Sequence, residues 1–339
     1  MCGIAGVRKF GDNPITEEEI ITLLCAIEHR GPHATGVALM GTSGEITVCK
    51  APEPAWKFTH GELLSGFLTE HLSDDTQIAL LHTRFATGGN PEVNENNHPM
   101  FDGTTAIIHN GVINNDGPLF QSDKEYVRSC ETDSDIIRAI VAKHGLDNEG
   151  IRELNKVRGS AAIAAIKTEE PGKLLLARSG SPIAFGYTQN ADKMYWASEI
   201  QAITKAARPF RQVRGTFVQD SRNNIFVGTM PDNTAWLFDE EGLVSPHHEF
   251  KTLLSSYITP NYSAMRSSYA SKKRRWKEER KRERAQHKAL LQIATVAKPK
   301  VEKGALIVCP SCGVLLVNES GAAWTELTCP DCKCQIQES

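Results

Sequence analysis

Met1-Cys2-Gly3-Ile4-Ala5-Gly6 puts a thiol one residue behind an initiator methionine. Methionine is readily trimmed when a small residue follows it. Trimming would leave Cys2 with its own α-amine, whose ordinary pKa lies close to neutrality. One residue would then supply nucleophile and base, the amine taking the thiol proton directly or through a water. Read alone, a cysteine in second position is as well explained as an incidental small residue, and the rest of the chain has to decide.

The 339 residues suffice for one large domain with an appendage, or for two ordinary domains. No apolar run approaches the ~20 residues that cross a bilayer, and the N-terminus has no basic segment followed by an apolar one. A soluble, cytoplasmic protein without a membrane partner is therefore expected. Of nine cysteines, five crowd the C-terminus and the others are scattered, Cys25, Cys49 and Cys130 among them. That distribution suits metal binding in a reducing compartment better than a disulfide framework. Charge is segregated: residues 266–288 hold eleven Lys/Arg against three Glu, a local +8, which leaves −11 for the remainder of a chain whose total is −3.

Outward from the first stretch, Cys2 to Val7 reads as a short buried strand. Thr16 to Glu28 reads as a helix, with Thr16 as N-cap and Glu19 completing a capping box. Arg30 sits in the Gly- and Pro-punctuated turn His29-Arg30-Gly31-Pro32, either a surface residue or one turned toward the first strand. The strand Gln77–His82 runs into Thr83-Arg84-Phe85-Ala86-Thr87-Gly88-Gly89, where a guanidinium before a Gly-rich loop could clamp a carboxylate with its forked donors. Thr105 to His109 is a further strand. Asn110-Gly111 after it pairs a side-chain amide with an accessible backbone N–H, which could be two oxyanion donors or simply a turn. Glu131-Thr132-Asp133-Ser134-Asp135 opens a helix that continues to Lys143, and capping is the plain explanation of Asp133. Short strands at 160–167, 173–177, 183–187 and 194–197, a helix at 200–207, and strands near 212–218 and 224–227 then suggest an α+β layered domain ending near residue 230.

These pieces together resemble the class II glutamine amidotransferase domain, an N-terminal-nucleophile hydrolase found at the front of glucosamine-6-phosphate synthase and related enzymes. The matching motifs are Cys-Gly-Ile-Ala-Gly at 2–6, His-Arg-Gly-Pro at 29–32, His-Thr-Arg-Phe-Ala-Thr at 82–87 and Asn-His-Pro at 97–99. His-Asn-Gly at 109–111, Glu-Thr-Asp-Ser-Asp at 131–135, Ala-Arg-Ser-Gly-Ser-Pro at 177–182 and Ala-Ser-Glu at 197–199 complete the series. The resemblance implies a four-layer αββα sandwich over residues 2–230. It further implies Cys2 as nucleophile and Asn110 with Gly111 as the oxyanion hole. Arg84 would hold the α-carboxylate of glutamine, Asp133 its α-ammonium, and Thr87 and Arg30 would add to the substrate site. Where the sugar-phosphate synthases follow Arg-Trp-Ala-Thr with His, this chain has Phe85 and Gly88, so closure of the loop carrying Thr87 is expected to differ.

Residues 231–300 read as an irregular strap followed by a basic helical linker, which could be a solvated spacer or a contact for nucleic acid or another acidic partner. Residues 301–339 hold Cys309-x-x-Cys312 and Cys329-x-x-Cys332 sixteen residues apart, with strands expected at 314–317 and 324–327. Four thiolates at this spacing can wrap one structural Zn²⁺ in a zinc ribbon, with Cys334 as a spare. The expected activity is release of ammonia from glutamine for an acceptor synthetase on a separate chain. The contrasting expectations are a non-catalytic scaffold that binds nucleic acid or protein, and an amidotransferase serving nucleobase modification.

Overall fold

The computed structural model describes residues 1–188, 191–207, 210–213, 216–219, 225–250, 306–308 and 315–317. They fall into two units, Met1–Tyr257 and Ile258–Ser339. The first begins with β1 (Gly3–Lys9), α1 (Glu17–Ile27), β2 (Ala34–Gly41), β3 (Ile46–Ala51), α2 (Ala55–Phe58), α3 (Glu62–His71) and β4 (Thr76–Arg84). It continues through β5 (Met100–Phe101), β6 (Thr105–Ile113), α4 (Asp116–Ser122), α5 (Asp135–His144), α6 (Asn148–Leu154) and β7 (Gly159–Lys167). β8 (Leu174–Ser179), β9 (Ala184–Thr188), β10 (Lys193–Ala197) and α7 (Ile200–Ala206) follow. β11 (Phe210–Val213), β12 (Thr216–Gln219), β13 (Ile225–Thr229), β14 (Thr234–Asp239) and β15 (Gly242–Glu249) close the unit.

Two antiparallel sheets carry the fold, one ordered β13-β9-β10-β1-β4-β2-β3 and the other β15-β14-β8-β7-β6-β5. Three apolar cores define the layers. Leu23, Leu24, Phe58, Leu68 and Ile203 of the helices pack on Val7, Leu39 and Leu81 of the first sheet. Ile4, Met40 and Leu80 on its opposite face meet Ile108, Leu176 and Trp236 of the second sheet. Ile107, Ile163 and Leu175 on the far side of the second sheet meet Ile136, Ile140 and Leu154 of α5 and α6. The order is therefore helix, sheet, sheet, helix. Strands covered on both faces have no solvent side, which is why they read as unbroken apolar runs rather than alternating ones.

α1 starts as its sequence requires. Thr16 Oγ1 accepts the Glu19 N–H at 3.2 Å, and Glu19 Oε2 accepts the Thr16 N–H at 2.8 Å. The same carboxylate receives Lys193 Nζ at 2.8 Å and the Tyr195 hydroxyl, tying α1 to β10.

The structure corrects the boundary at 230. β14 and β15 lie in what the sequence suggested was an irregular strap, and β14 pairs with β8, Ala235 facing Ala177 and Leu237 facing Leu175. Ala235 and Leu237 join the helix-covered core while Trp236 and Phe238 join the core between the sheets. A strand buried on both sides, with no polar residue inside it, offers no period to read. The strand expected near 212–218 is instead the hairpin of β11 and β12. A chain cut at residue 230 is expected to be insoluble or to lack a cooperative melt, because it uncovers β8. A cut after residue 257 should melt like the full chain, a contrast that circular dichroism would show.

In the second unit β16 (Leu306–Val308) pairs with β17 (Leu315–Val317), Val308 facing Leu315. These strands flank the first cysteine pair in the sequence. Cys309, Cys312, Cys329 and Cys332, the expected strand 324–327 and the basic stretch 266–288 lie outside the described residues. No helix among the described residues is long and apolar enough to cross a membrane.

Candidate active site

Cys2 stands just before β1, whose first residues are locked in place: Ile4 N–H donates to Ser198 Oγ at 3.0 Å, and Ser198 N–H donates to Ile4 O at 2.8 Å. β1 pairs with β4, Gly3 opposite Thr83, which brings Arg84 at the end of β4 beside the thiol. The Phe85 N–H donates to the Cys2 sulfur at 3.3 Å. Burial pushes the Cys2 thiol up, against the Phe85 hydrogen bond, the chain's terminal amine and Arg84, all of which favour the thiolate. Asp133 adds to the upward side. Burial, the largest of these influences, thus favours the neutral thiol. Burial lowers the Met1 ammonium, so the surroundings of the terminus favour a neutral amine.

The second sheet brings the amide donors. Asn110 and Gly111 lie inside β6, facing Ala162 and Ala161 of β7, and form no turn. A methyl at position 111 would stand 1.9 Å from Ser160 O, so the tight approach of β7 admits only glycine there. Asn110 is 1% exposed, and its Nδ2 has no hydrogen-bond partner among the described residues. The two sheets are bridged beside the site by His82 Nε2, 3.1 Å from His109 O.

Asp133 does not cap α5. That place falls to Ser134, which makes no capping bond. Asp133 Oδ2 instead accepts the Ile113 N–H at 2.6 Å, fixing the half-buried carboxylate against β6. Its loop is held by the fully buried Asp135, which accepts from Ser129 Oγ at 2.8 Å and Arg138 Nε at 2.7 Å. Arg84 is 3% exposed. Its guanidinium donates to Asn97 Oδ1 at 2.7 Å and to the carbonyls of Gly88 and Gly89. Thr87 is exposed on that loop and makes no side-chain hydrogen bond to the described residues.

Arg30, expected among the substrate contacts, is engaged with the nucleophile's own backbone. Its Nε donates to Cys2 O at 3.0 Å, and Nη1 donates to Glu199 Oε1 at 2.7 Å. Glu199 also meets His29 Nε2 at 3.1 Å. The sequence named Asn97 and Glu199 only as motif members, without roles. Asn97 is set by its own loop, its Nδ2 donating to Pro91 O at 2.7 Å, whereas the partners of Glu199 lie about 170 residues away, so no local spacing points to it. Among the described residues no group of three or more His, Cys, Asp or Glu could hold a metal ion.

Three buried histidines lie under the site. His82 is pushed down to about 3, and His98 and His109 are also lowered, burial being the chief cause for each. The unfolded chain, with ordinary values near 6.5, binds protons that the folded one refuses. Stability is therefore expected to fall as pH drops below ~6.5, by up to ~1.4 kcal/mol per pH unit for each histidine. Thermal melts between pH 7 and pH 5 would check this, with a His98→Asn variant expected to flatten the dependence.

A model of the glutamine amidotransferase domain matches residues 82–205. The chain is 31% identical over 193 residues to the isomerizing glutamine–fructose-6-phosphate aminotransferase of Thermotoga maritima, covering 55% of this chain and 30% of that one. The Agrobacterium fabrum enzyme of the same name is 32% identical over 216 residues, covering 60% and 32%. The chain thus spans about a third of the length of these curated relatives. The glutamine phosphoribosylpyrophosphate amidotransferase of B. subtilis superposes with a TM-score of 0.54 at 17% identity, over 76% of this chain and 50% of that one, which shows a shared fold.

Proposed function

We propose that this protein carries a class II glutamine amidotransferase domain, as its match to the glutamine amidotransferase family and its similarity to glutamine–fructose-6-phosphate aminotransferases support, and that it hydrolyses glutamine through Cys2 after loss of Met1. The observation that carries the proposal is the buried Asn110 Nδ2 donor, which has no partner among the described residues, in a fold where Arg84 and Asp133 both act on the charge of Cys2. A buried donor left unpaired costs ~1–3 kcal/mol, a cost relieved when an oxyanion accepts from it. Glutamine is a zwitterion at one end and a neutral amide at the other, and Arg84, Asp133 and the Asn110–Gly111 pair supply the matching set.

In this reading the carboxylate of glutamine displaces the Gly88 and Gly89 carbonyls from Arg84, the ammonium takes the remaining lone pairs of Asp133, and Thr87 follows the loop. The freed α-amine of Cys2 removes the thiol proton as the sulfur attacks the side-chain amide carbon. Asn110 Nδ2–H and Gly111 N–H hold the resulting oxyanion. The ammonium then protonates the departing nitrogen, leaving a γ-glutamyl thioester and ammonia. Water, deprotonated by the same amine, cleaves the thioester to glutamate. Arg30, anchored by Glu199, keeps the Cys2 carbonyl fixed through both steps.

We further propose a separate synthetase chain as the ammonia acceptor, to be sought as a protein that co-purifies with this one. For the tail we retain a zinc ribbon formed by Cys309, Cys312, Cys329 and Cys332. The pairing of Val308 with Leu315 supports it, since Cys309 and Cys312 fall between these two strands in the sequence. Full-length protein is expected to bind one Zn²⁺ by elemental analysis and to lose it to a chelator without losing glutaminase activity. The test of the whole reading is glutamate formation by purified protein whose N-terminal residue is identified by mass spectrometry. Turnover by protein that keeps Met1 would overturn it.

A further inference from the structure

The turn after β4 carries both ends of the proposed chemistry: Arg84 for the carboxylate and, one residue on, the Phe85 N–H that donates to the Cys2 sulfur at 3.3 Å. One residue grips three consecutive positions of that turn. The His33 N–H donates to Arg84 O at 3.0 Å. Its ring centroid lies 5.1 Å from that of Phe85. Its Nδ1 accepts the Ala86 N–H at 3.0 Å. Acceptance there needs the Nδ1 lone pair, so the neutral ring carries its proton on Nε2. Gly31 allows the approach, since a Cβ at that position would stand 2.3 Å from Thr83 O and 2.5 Å from the Arg84 carbonyl carbon.

The Phe85 and Ala86 N–H groups thus both go to side chains, Cys2 and His33, rather than to the backbone. These two side chains fix the backbone between Arg84 and Ala86, while Asn97 and the Gly88 and Gly89 carbonyls hold the Arg84 guanidinium. From these contacts we infer that His33 is a positioning residue: it holds the sulfur's hydrogen-bond donor and the Arg84 guanidinium at the spacing one glutamine requires. It acts through the backbone of the turn, and it lies outside every motif on which the glutaminase reading was built. The inference rests on that reading and adds to it the element that keeps the two ends of the site in register.

Two variants separate its functions. His33→Phe keeps a ring beside Phe85 and removes the acceptor, whereas His33→Asn places an amide oxygen near the Nδ1 position and removes the ring. With glutamine, H33F is expected to lose about 10- to 100-fold in kcat/KM, the scale of a small misplacement of reacting groups, and H33N to recover to within a few-fold of the wild type. Inactivation by a glutamine-shaped diazoketone should slow in H33F far more than alkylation of Cys2 by iodoacetamide, which needs no carboxylate clamp. Melting temperatures report on folding. Should H33F unfold, H33N compared with H33A carries the same contrast, with H33N expected to be the more active. A wild type that turns over glutamine beside an H33F protein equal to it, or an H33N protein as impaired as H33F, overturns the inference alone. A wild type with no turnover overturns the functional reading and this inference with it.

Discussion

Cys2→Ala is expected to leave a folded protein with no measurable glutamate formation, a loss of at least ~10⁴-fold, the scale seen when a covalent nucleophile is removed. The sulfur's hydrogen bonds among the described residues are both with the Phe85 backbone, a 3.3 Å bond accepted from its N–H and a long 3.7 Å one donated to its carbonyl, so its removal takes little from the fold. The anchoring of the strand behind it through Ile4 and Ser198 is unchanged. The check is a coupled glutamate assay beside a thermal melt. Residual turnover close to wild type would mean that the thiol takes no covalent part. A variant with one residue inserted between Met1 and Cys2 should be equally inactive, because its thiol would lie within an ordinary peptide and its amine would be displaced by a residue.

Asn110→Ala should lower kcat by about 10²- to 10³-fold with KM changed little, the cost of one oxyanion donor that acts only as charge develops. Its stability should hardly change. Nδ2 has no partner among the described residues, so no native hydrogen bond of that atom is lost, and the neighbouring Ala162 and Ala161 keep β6 in register. This separation of activity from stability distinguishes an oxyanion donor from a structural amide. A variant that loses both together would return Asn110 to a packing role. Asn110→Asp should be at least as damaging, since a carboxylate would face the developing negative charge.

Much of this arrangement was legible in the sequence because the relevant signals are local. The Thr16–Glu19 capping box marks where α1 starts, and short apolar runs mark most strands of both sheets. Asn110-Gly111 was ambiguous, since the same dipeptide serves turns and strands. What excludes a turn is β7, a partner whose residues lie about fifty positions further on. β14 was missed for the opposite reason: with Ala235 and Leu237 on one core and Trp236 and Phe238 on another, it has neither a polar face nor a helical period. For Arg30 the sequence offered two places and the bond to Cys2 O chooses the one toward the first strand, whereas nothing local pointed to His33, whose contacts depend on which backbone atoms the fold brings to a turn. Strand and helix positions set by local pattern could be read, whereas hydrogen bonds reaching across the chain could not.

The strand that follows Cys2 lies in the interior of its sheet, flanked by β4 on one side and β10 on the other. One of those neighbours, β10, leaves the ribosome almost two hundred residues after it, so the front strand lacks one of its two flanking partners until then. Under the proposed processing, an aminopeptidase meets a loose end and not a seated one. Amine and sulfur would then be exposed together before the sandwich closes, and the enzyme would gain its reactive pair only on completing its last central strand.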